Sequence, residues 1–194
     1  MLAPNYSSKR TREKRAPLNS SVRARMKSSF VCPTCGDTHD GLPTDHGWKL
    51  PDVVWTIPED ERSNKAKFNS DLCQLGNRFF IRCLLALPFN EQPDCYGWGI
   101  WVEVPELDFH RYVELYDKDG SGEPVVLGTI ANVMPGYPPT LGVPVTVQFQ
   151  GSTSRPTAHM PVGSKHPLAA EQSTGIDNRR YHEILVAIGS ASRP

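Results

Sequence analysis

The sequence predicts an α+β domain with a mainly antiparallel sheet, a few packed helices and an N-terminal Cys-x-x-Cys, zinc-knuckle-like loop. Three observations carry this reading. Strand-like segments follow one another across short links, with no regular alternation of strand and helix. Two segments repeat apolar residues at the helical spacing i, i+3, i+4, i+7. The 18 Pro and 15 Gly among 194 residues interrupt most other stretches.

In chain order, Phe30 opens the ordered part and leads into the Cys32-Pro33-Thr34-Cys35-Gly36 loop. Residues 42–51 read as irregular, with Pro43 and Gly47 among them and Gly41 just before. Pro58-Glu59-Asp60-Glu61 puts Pro and acids in a first helical turn, and Arg62, Lys65 and Lys67 follow, so a short helix complements its own dipole. Asp71 to Leu75 and Arg78 to Leu87 form a hairpin about Gly76-Asn77. Tyr96 to Val104 is a further strand, with Trp98 and Ile100 on one face and Trp101 on the other. Pro105 opens a helix carrying Phe109, Tyr112, Val113 and Tyr116 on one stripe. Val125 to Ala131 and Val145 to Phe149 are strands separated by the Pro135-Gly136-Tyr137-Pro138-Pro139 loop. Arg155 to Met160 adds an edge strand. The last helix shows Tyr181, Ile184, Leu185 and Ile188.

Charge divides the chain. Residues 1–29 hold eight Lys/Arg against Glu13 alone, leaving thirteen basic and twenty acidic residues in the rest. The first 29 residues read as a disordered basic arm, with Met26 as an alternative start. Residues 30–189 form one domain, and 190–194 a flexible tail. The acidic body opposes general nucleic-acid binding, which is expected only through residues 1–29. Apolar content of 38% and a mean hydropathy of −0.43 fit a soluble chain with no membrane span. Five Cys without an apolar leader favour a reducing, cytoplasmic setting in which Cys is ligand or core.

The one cluster with a definite chemistry is Cys32, Cys35 and His39. Two thiols aimed by a tight turn, with a His soon after, suit tetrahedral Zn²⁺. A closed structural site needs a fourth ligand, and Cys73 is the first choice, with His46 and His166 behind it. An open site would use three ligands and water, with Asp37, Asp40 or Asp71 as the helper group. Asp117-Lys118-Asp119-Gly120-Ser121-Gly122 imitates half a calcium loop. Gly128 stands where a bidentate Glu is required, so the segment is a turn.

Seven motifs occur in order: Phe30-Val31-Cys32-Pro33-Thr34-Cys35-Gly36, Asp71-Leu72-Cys73, Phe80-Ile81-Arg82, Gly97-Trp98-Gly99-Ile100-Trp101-Val102, Pro135-Gly136-Tyr137-Pro138, Arg155-Pro156 and His166-Pro167-Leu168-Ala169. On these the chain resembles the bacterial domain of unknown function 2199 over about residues 30–176. The resemblance implies one intact bacterial cytosolic domain and no particular activity. Cys83 departs from the family pattern, which sets Gly after that Arg.

Arg82 and Arg155 suit an anionic group or an internal acid. Trp98 and Trp101 suit either a recognition surface or the core. His166 before Pro167 suits a helix N-cap. With no ordered acid/base set, the expected function is a zinc-stapled, non-catalytic binding module contacting a protein partner through Arg82, Trp98, Trp101, Arg155 and His166. A metal-dependent hydrolase with an open zinc site is the alternative, and nucleic-acid binding through the arm is the second.

Overall fold

The computed structural model of the chain describes residues 30, 31, 36, 38, 39 and 43–189. The basic arm, Cys32, Cys35, Asp37, Asp40 and the tail 190–194 lie outside the described residues. The elements are β1 (Phe30–Val31), β2 (Thr38–His39), β3 (Asp45–Gly47), α1 (Asp52–Trp55), α2 (Glu59–Lys65), β4 (Ala66–Phe68), β5 (Leu72–Leu75), β6 (Arg78–Pro88), β7 (Cys95–Val104), α3 (Glu106–Glu114), β8 (Val126–Ile130), β9 (Pro144–Gln148), β10 (Thr157–His159), α4 (Pro167–Thr174) and α5 (Asn178–Ala187).

The spine is the β6–β7 hairpin, paired from Phe79↔Val104 to Pro88↔Cys95. Its alternation is the expected one. Ile81, Cys83, Leu85 and Leu87 of β6, with Tyr96, Trp98, Ile100 and Val102 of β7, face the main core. Phe80 and Trp101 face the other way and would be exposed on a one-sided sheet. Instead they enter a second core with Leu50, Val54, Ala66, Cys73 and Ala131, built by the segment around α1 and by β4 and β5. Both tryptophans are therefore fully buried. Each such side chain removed from water stabilises the fold by roughly 2 kcal/mol or more.

β6, β7, β8, β9 and β10 follow as an antiparallel meander. With five strands the last runs in the same direction as the first, so closure onto β6 must be parallel. It is, through Thr157↔Leu84 and a Leu84 N–H bond to Pro156 O of 2.8 Å. The Arg155–Met160 segment is thus no edge strand: it closes a five-stranded barrel, and the edges are β3 and β4. Gly128 makes the barrel corner possible. A Cβ there would lie 2.6 Å from both Glu103 O and Val102 Cγ1.

Each outer edge of the spine carries two strands in series. β6 takes β5 along Arg78–Ile81 and then β10 at Leu84. β7 takes β3 in parallel along Gly97–Gly99 and then β8 at Val102–Glu103. Between β3 and β8, the buried side chain of Asn132 accepts from Trp101 N–H at 2.8 Å and donates to Leu50 O and Asp52 Oδ1. β3 lies within the stretch read as irregular. It has three residues, and its pairing with β7 rather than its own pattern makes it a strand. α3 ends at Glu114, so Tyr116 lies beyond the helix, in a turn.

Candidate functional site

Three sequence-distant motifs meet where β7 runs past the barrel: Gly97-Trp98-Gly99, Pro135-Gly136-Tyr137-Pro138 and His166-Pro167. Trp98 is the buried centre. Trp48 stacks on it at 5.7 Å between centroids, and His46 and Tyr137 meet it edge-on at 5.8 and 6.0 Å. His166 stacks on Tyr137 in turn, at 6.3 Å. His46, Trp48, Tyr137 and His166 are each half-buried, so they form an aromatic rim around a buried indole. Burial holds the His46 pKa below its ordinary 6.5 despite the opposing pull of Asp45, which favours the neutral ring. His166 also caps α4: its Nδ1 accepts from Leu168 N–H at 3.3 Å, as Pro167 at the first helical position suggests. The Tyr96 hydroxyl and His166 Nε2 are buried beside this cluster without a hydrogen-bond partner among the described residues. Each such group costs about 1–3 kcal/mol, and native domains tolerate few of them.

Two carboxylates, one buried and one half-buried, are bound in the same way, each between an Arg and a Tyr. Asp71 Oδ1 accepts from Arg155 Nε at 2.7 Å, and Oδ2 accepts from the hydroxyls of Tyr116 at 2.9 Å and Ser70 at 2.8 Å. Glu171 Oε1 accepts from Arg180 Nε at 2.7 Å, and Oε2 from the Tyr137 hydroxyl. Arg180 also lies over the Tyr137 ring, 4.7 Å from its centroid, and donates to Gly136 O. Burial, reinforced by the neighbouring carboxylate, pushes both phenols well above their ordinary value of 10.0, so both remain hydrogen-bond donors.

The residues singled out from sequence fall into separate places. Trp98 and Trp101 are both in core, so neither presents the surface expected of it; the exposed aromatic edge belongs to their neighbours. Arg155 is spent on Asp71. Arg82 lies along the outer face of the sheet, its Nη1 3.4 Å from Ser70 O. Its guanidinium rests on Gly47 and Gly99, where Cβ atoms would come within 2.7 and 3.6 Å of Nη2. In the Gly-Trp-Gly motif a Cβ would lie 3.0 Å from Leu84 Cδ1 at Gly97 and 3.3 Å from Gly47 Cα at Gly99, so glycine clears the outer face while tryptophan fills the inner one.

Cys73 packs as a core side chain against the second cluster, and burial pushes its thiol up to about 12. Metal ligation there would have to remove a proton against that burial. Cys83 is likewise enclosed, and burial raises its thiol further. His39 pairs through its backbone with Phe30 in the β1–β2 ribbon. Among the described residues no three His, Cys, Asp or Glu side chains are grouped to hold a metal. Nor is any helix among them long and apolar enough to cross a membrane.

Sequence reasoning passed over Trp48, Glu171 and Gln172. It read Tyr116 as the fourth member of a helical stripe, not as a partner of Asp71. Glu171 and Gln172 carried no local signal, because their partners are set by how α4 lies on the barrel.

A family model described as "Uncharacterized protein conserved in bacteria (DUF2199)" matches residues 31–176. The chain belongs to this family. The family match spans the barrel, buried Trp98 and all four rim residues (His46, Trp48, Tyr137 and His166), and it ends before α5. Arg180, over the Tyr137 ring, and Tyr181, 5.9 Å between centroids from Tyr96, lie outside the matched span. No curated protein and no solved structure matches the chain.

Proposed function

We propose that this domain is a non-catalytic binding module that meets a protein partner through its aromatic rim. The observation that carries the reading is the convergence of half-buried His46, Trp48, Tyr137 and His166 on buried Trp98. Rigid aromatic groups supply large contact area at low entropic cost and dominate interface hot spots. The two Tyr–carboxylate–Arg triads support the non-catalytic part, since both oxygens of each carboxylate are already engaged.

The reading retains a zinc staple on Cys32, Cys35 and His39, proposed on the chemistry of that donor set. When bound, the ion would hold its loop closed. Metal analysis of untagged protein tests it, with about one zinc per chain expected for a structural site. A metal-free folded protein removes the staple and leaves the rim.

A photo-crosslinking residue at position 48, expressed in the source cells, tests the rim. A partner should be captured there and not from a control at exposed Leu127. The purified pair should then bind directly, and Trp48→Ala should weaken it by roughly tenfold or more, as for an interface hot spot. Equal capture at both positions, or unchanged affinity in the variant, overturns the proposal.

A further inference from the structure

We infer that the free edge of β3 is an interface between two copies of this chain, paired antiparallel about His46. The inference concerns the backbone edge of the strand and does not rest on the rim reading.

β3 ends the sheet and pairs on one side only, with β7. Gly97 N–H donates to Thr44 O at 2.9 Å, and Trp48 N–H donates to Gly99 O at 3.2 Å. With Asp45↔Gly97 and Gly47↔Gly99 in register, the backbone groups of His46 also face β7. Those of Asp45 and Gly47 face outward, and both residues are exposed. Two N–H and two C=O groups thus stand in a row that a further strand can complete.

Charge selects a second copy and fixes its register. On the outer face, Asp45 Cβ lies 3.6 Å from where a Cβ on Gly97 would stand. On that same face Arg82 Nη2 lies 2.7 Å from where a Cβ on Gly47 would stand. The strand therefore presents a carboxylate at position 45 and a guanidinium over position 47. No ion pair among the described residues uses Asp45. An antiparallel copy centred on His46 sets each Asp45 opposite the Gly47 of the other copy. Each carboxylate then meets the Arg82 of the other copy, and the two hydrogen-bonded pairs use all four outward groups.

The neighbouring registers fail on the same count. Centring on Asp45 opposes two carboxylates and puts Pro43, which has no N–H, opposite Gly47. Centring on Gly47 brings the two Arg82 guanidinium groups together. The favoured register pairs His46 with His46, and burial holds this ring below its ordinary 6.5, so the imidazoles meet uncharged at neutral pH. A patch complementary to itself closes as a twofold dimer.

Sedimentation of the whole, reduced chain tests this. A concentration-dependent dimer of the 21.6 kDa chain is expected, weakened by salt. Asp45→Lys sets a like charge against Arg82 and should weaken the dimer by roughly tenfold or more. Because Asp45 is exposed, the melting temperature of this variant at low concentration should stay that of the unsubstituted monomer. His46→Cys should form an intermolecular disulfide on mild oxidation, beyond any in the unsubstituted chain, since opposed Cβ atoms there stand about 5 Å apart. Phe68→Cys, at the β4 edge, should not. A chain monomeric at every concentration, a dimer indifferent to Asp45→Lys, or cross-linking at position 68 and not at 46 would each overturn the inference.

Discussion

Arg155 sets its Nε 2.7 Å from Oδ1 of Asp71, a side chain with no solvent exposure, although 84 positions separate them in the chain. The pair sits where β5 gives way to β10 along the edge of β6. It ties the segment entering the closing strand to the turn entering β5. A single backbone register pair, Leu84↔Thr157, joins β10 to β6. The ion pair is accordingly part of how the barrel shuts.

Arg155→Ala leaves a buried carboxylate without its cation and should destabilise the domain by about 3–5 kcal/mol. The double variant Asp71→Asn, Arg155→Gln should lose less than the two single losses combined, because neither group is then charged. Urea unfolding midpoints check both. Additive losses would mean that the pair is not coupled.

Gln172 performs the corresponding task beyond Leu84, where β6 and β10 part. Its Nε2 donates to Ala158 O at 3.0 Å and Ala86 O at 3.4 Å, and its Oε1 accepts from Met160 N–H at 2.8 Å. The side-chain amide thus stands in for a missing rung of the ladder. Gln172→Ala should cost about 1–3 kcal/mol by stranding those groups. Hydrogen exchange at Met160 should rise more than exchange at the centre of β7. Equal change at both sites would place the effect in global stability instead.

High pH should unfold this domain earlier than its composition suggests. Burial raises the Cys73 thiol from 9.0 to about 12 and the Tyr181 phenol from 10.0 to about 12. Between those values the unfolded chain has released protons that the folded chain still holds. The stabilisation is complete below the unfolded pKa values and is lost as pH rises through the folded ones. Stability measured by urea from pH 8.5 to 11.5 should therefore fall, and Cys73→Ala should flatten part of the slope. An identical slope in the variant would show that Cys73 does not contribute.

The hairpin and the strand after it were legible because alternation and a Gly-Asn turn are local signals. The separation of Trp98 from Trp101 onto opposite faces followed from the same period of two. That both faces would be buried did not follow, since the second core is completed by Leu50, Val54 and Ala131, remote in sequence. His166 as an N-cap was legible from Pro167 alone. β3 and β4 were not, because three residues hold too little pattern to show a strand until a neighbour supplies the hydrogen bonds.

The sequence by itself determined the α+β fold class, the facing of each long strand, the His166 cap and the Gly76-Asn77 turn. These depend on backbone period, turn geometry and side-chain type over a few neighbouring residues. Only the tertiary structure decided that five strands close into a barrel, that Asp71 belongs to Arg155 and Glu171 to Arg180, and that three distant motifs share one aromatic rim. Each of those is a pairing across many residues, selected by packing and desolvation after the local elements have formed.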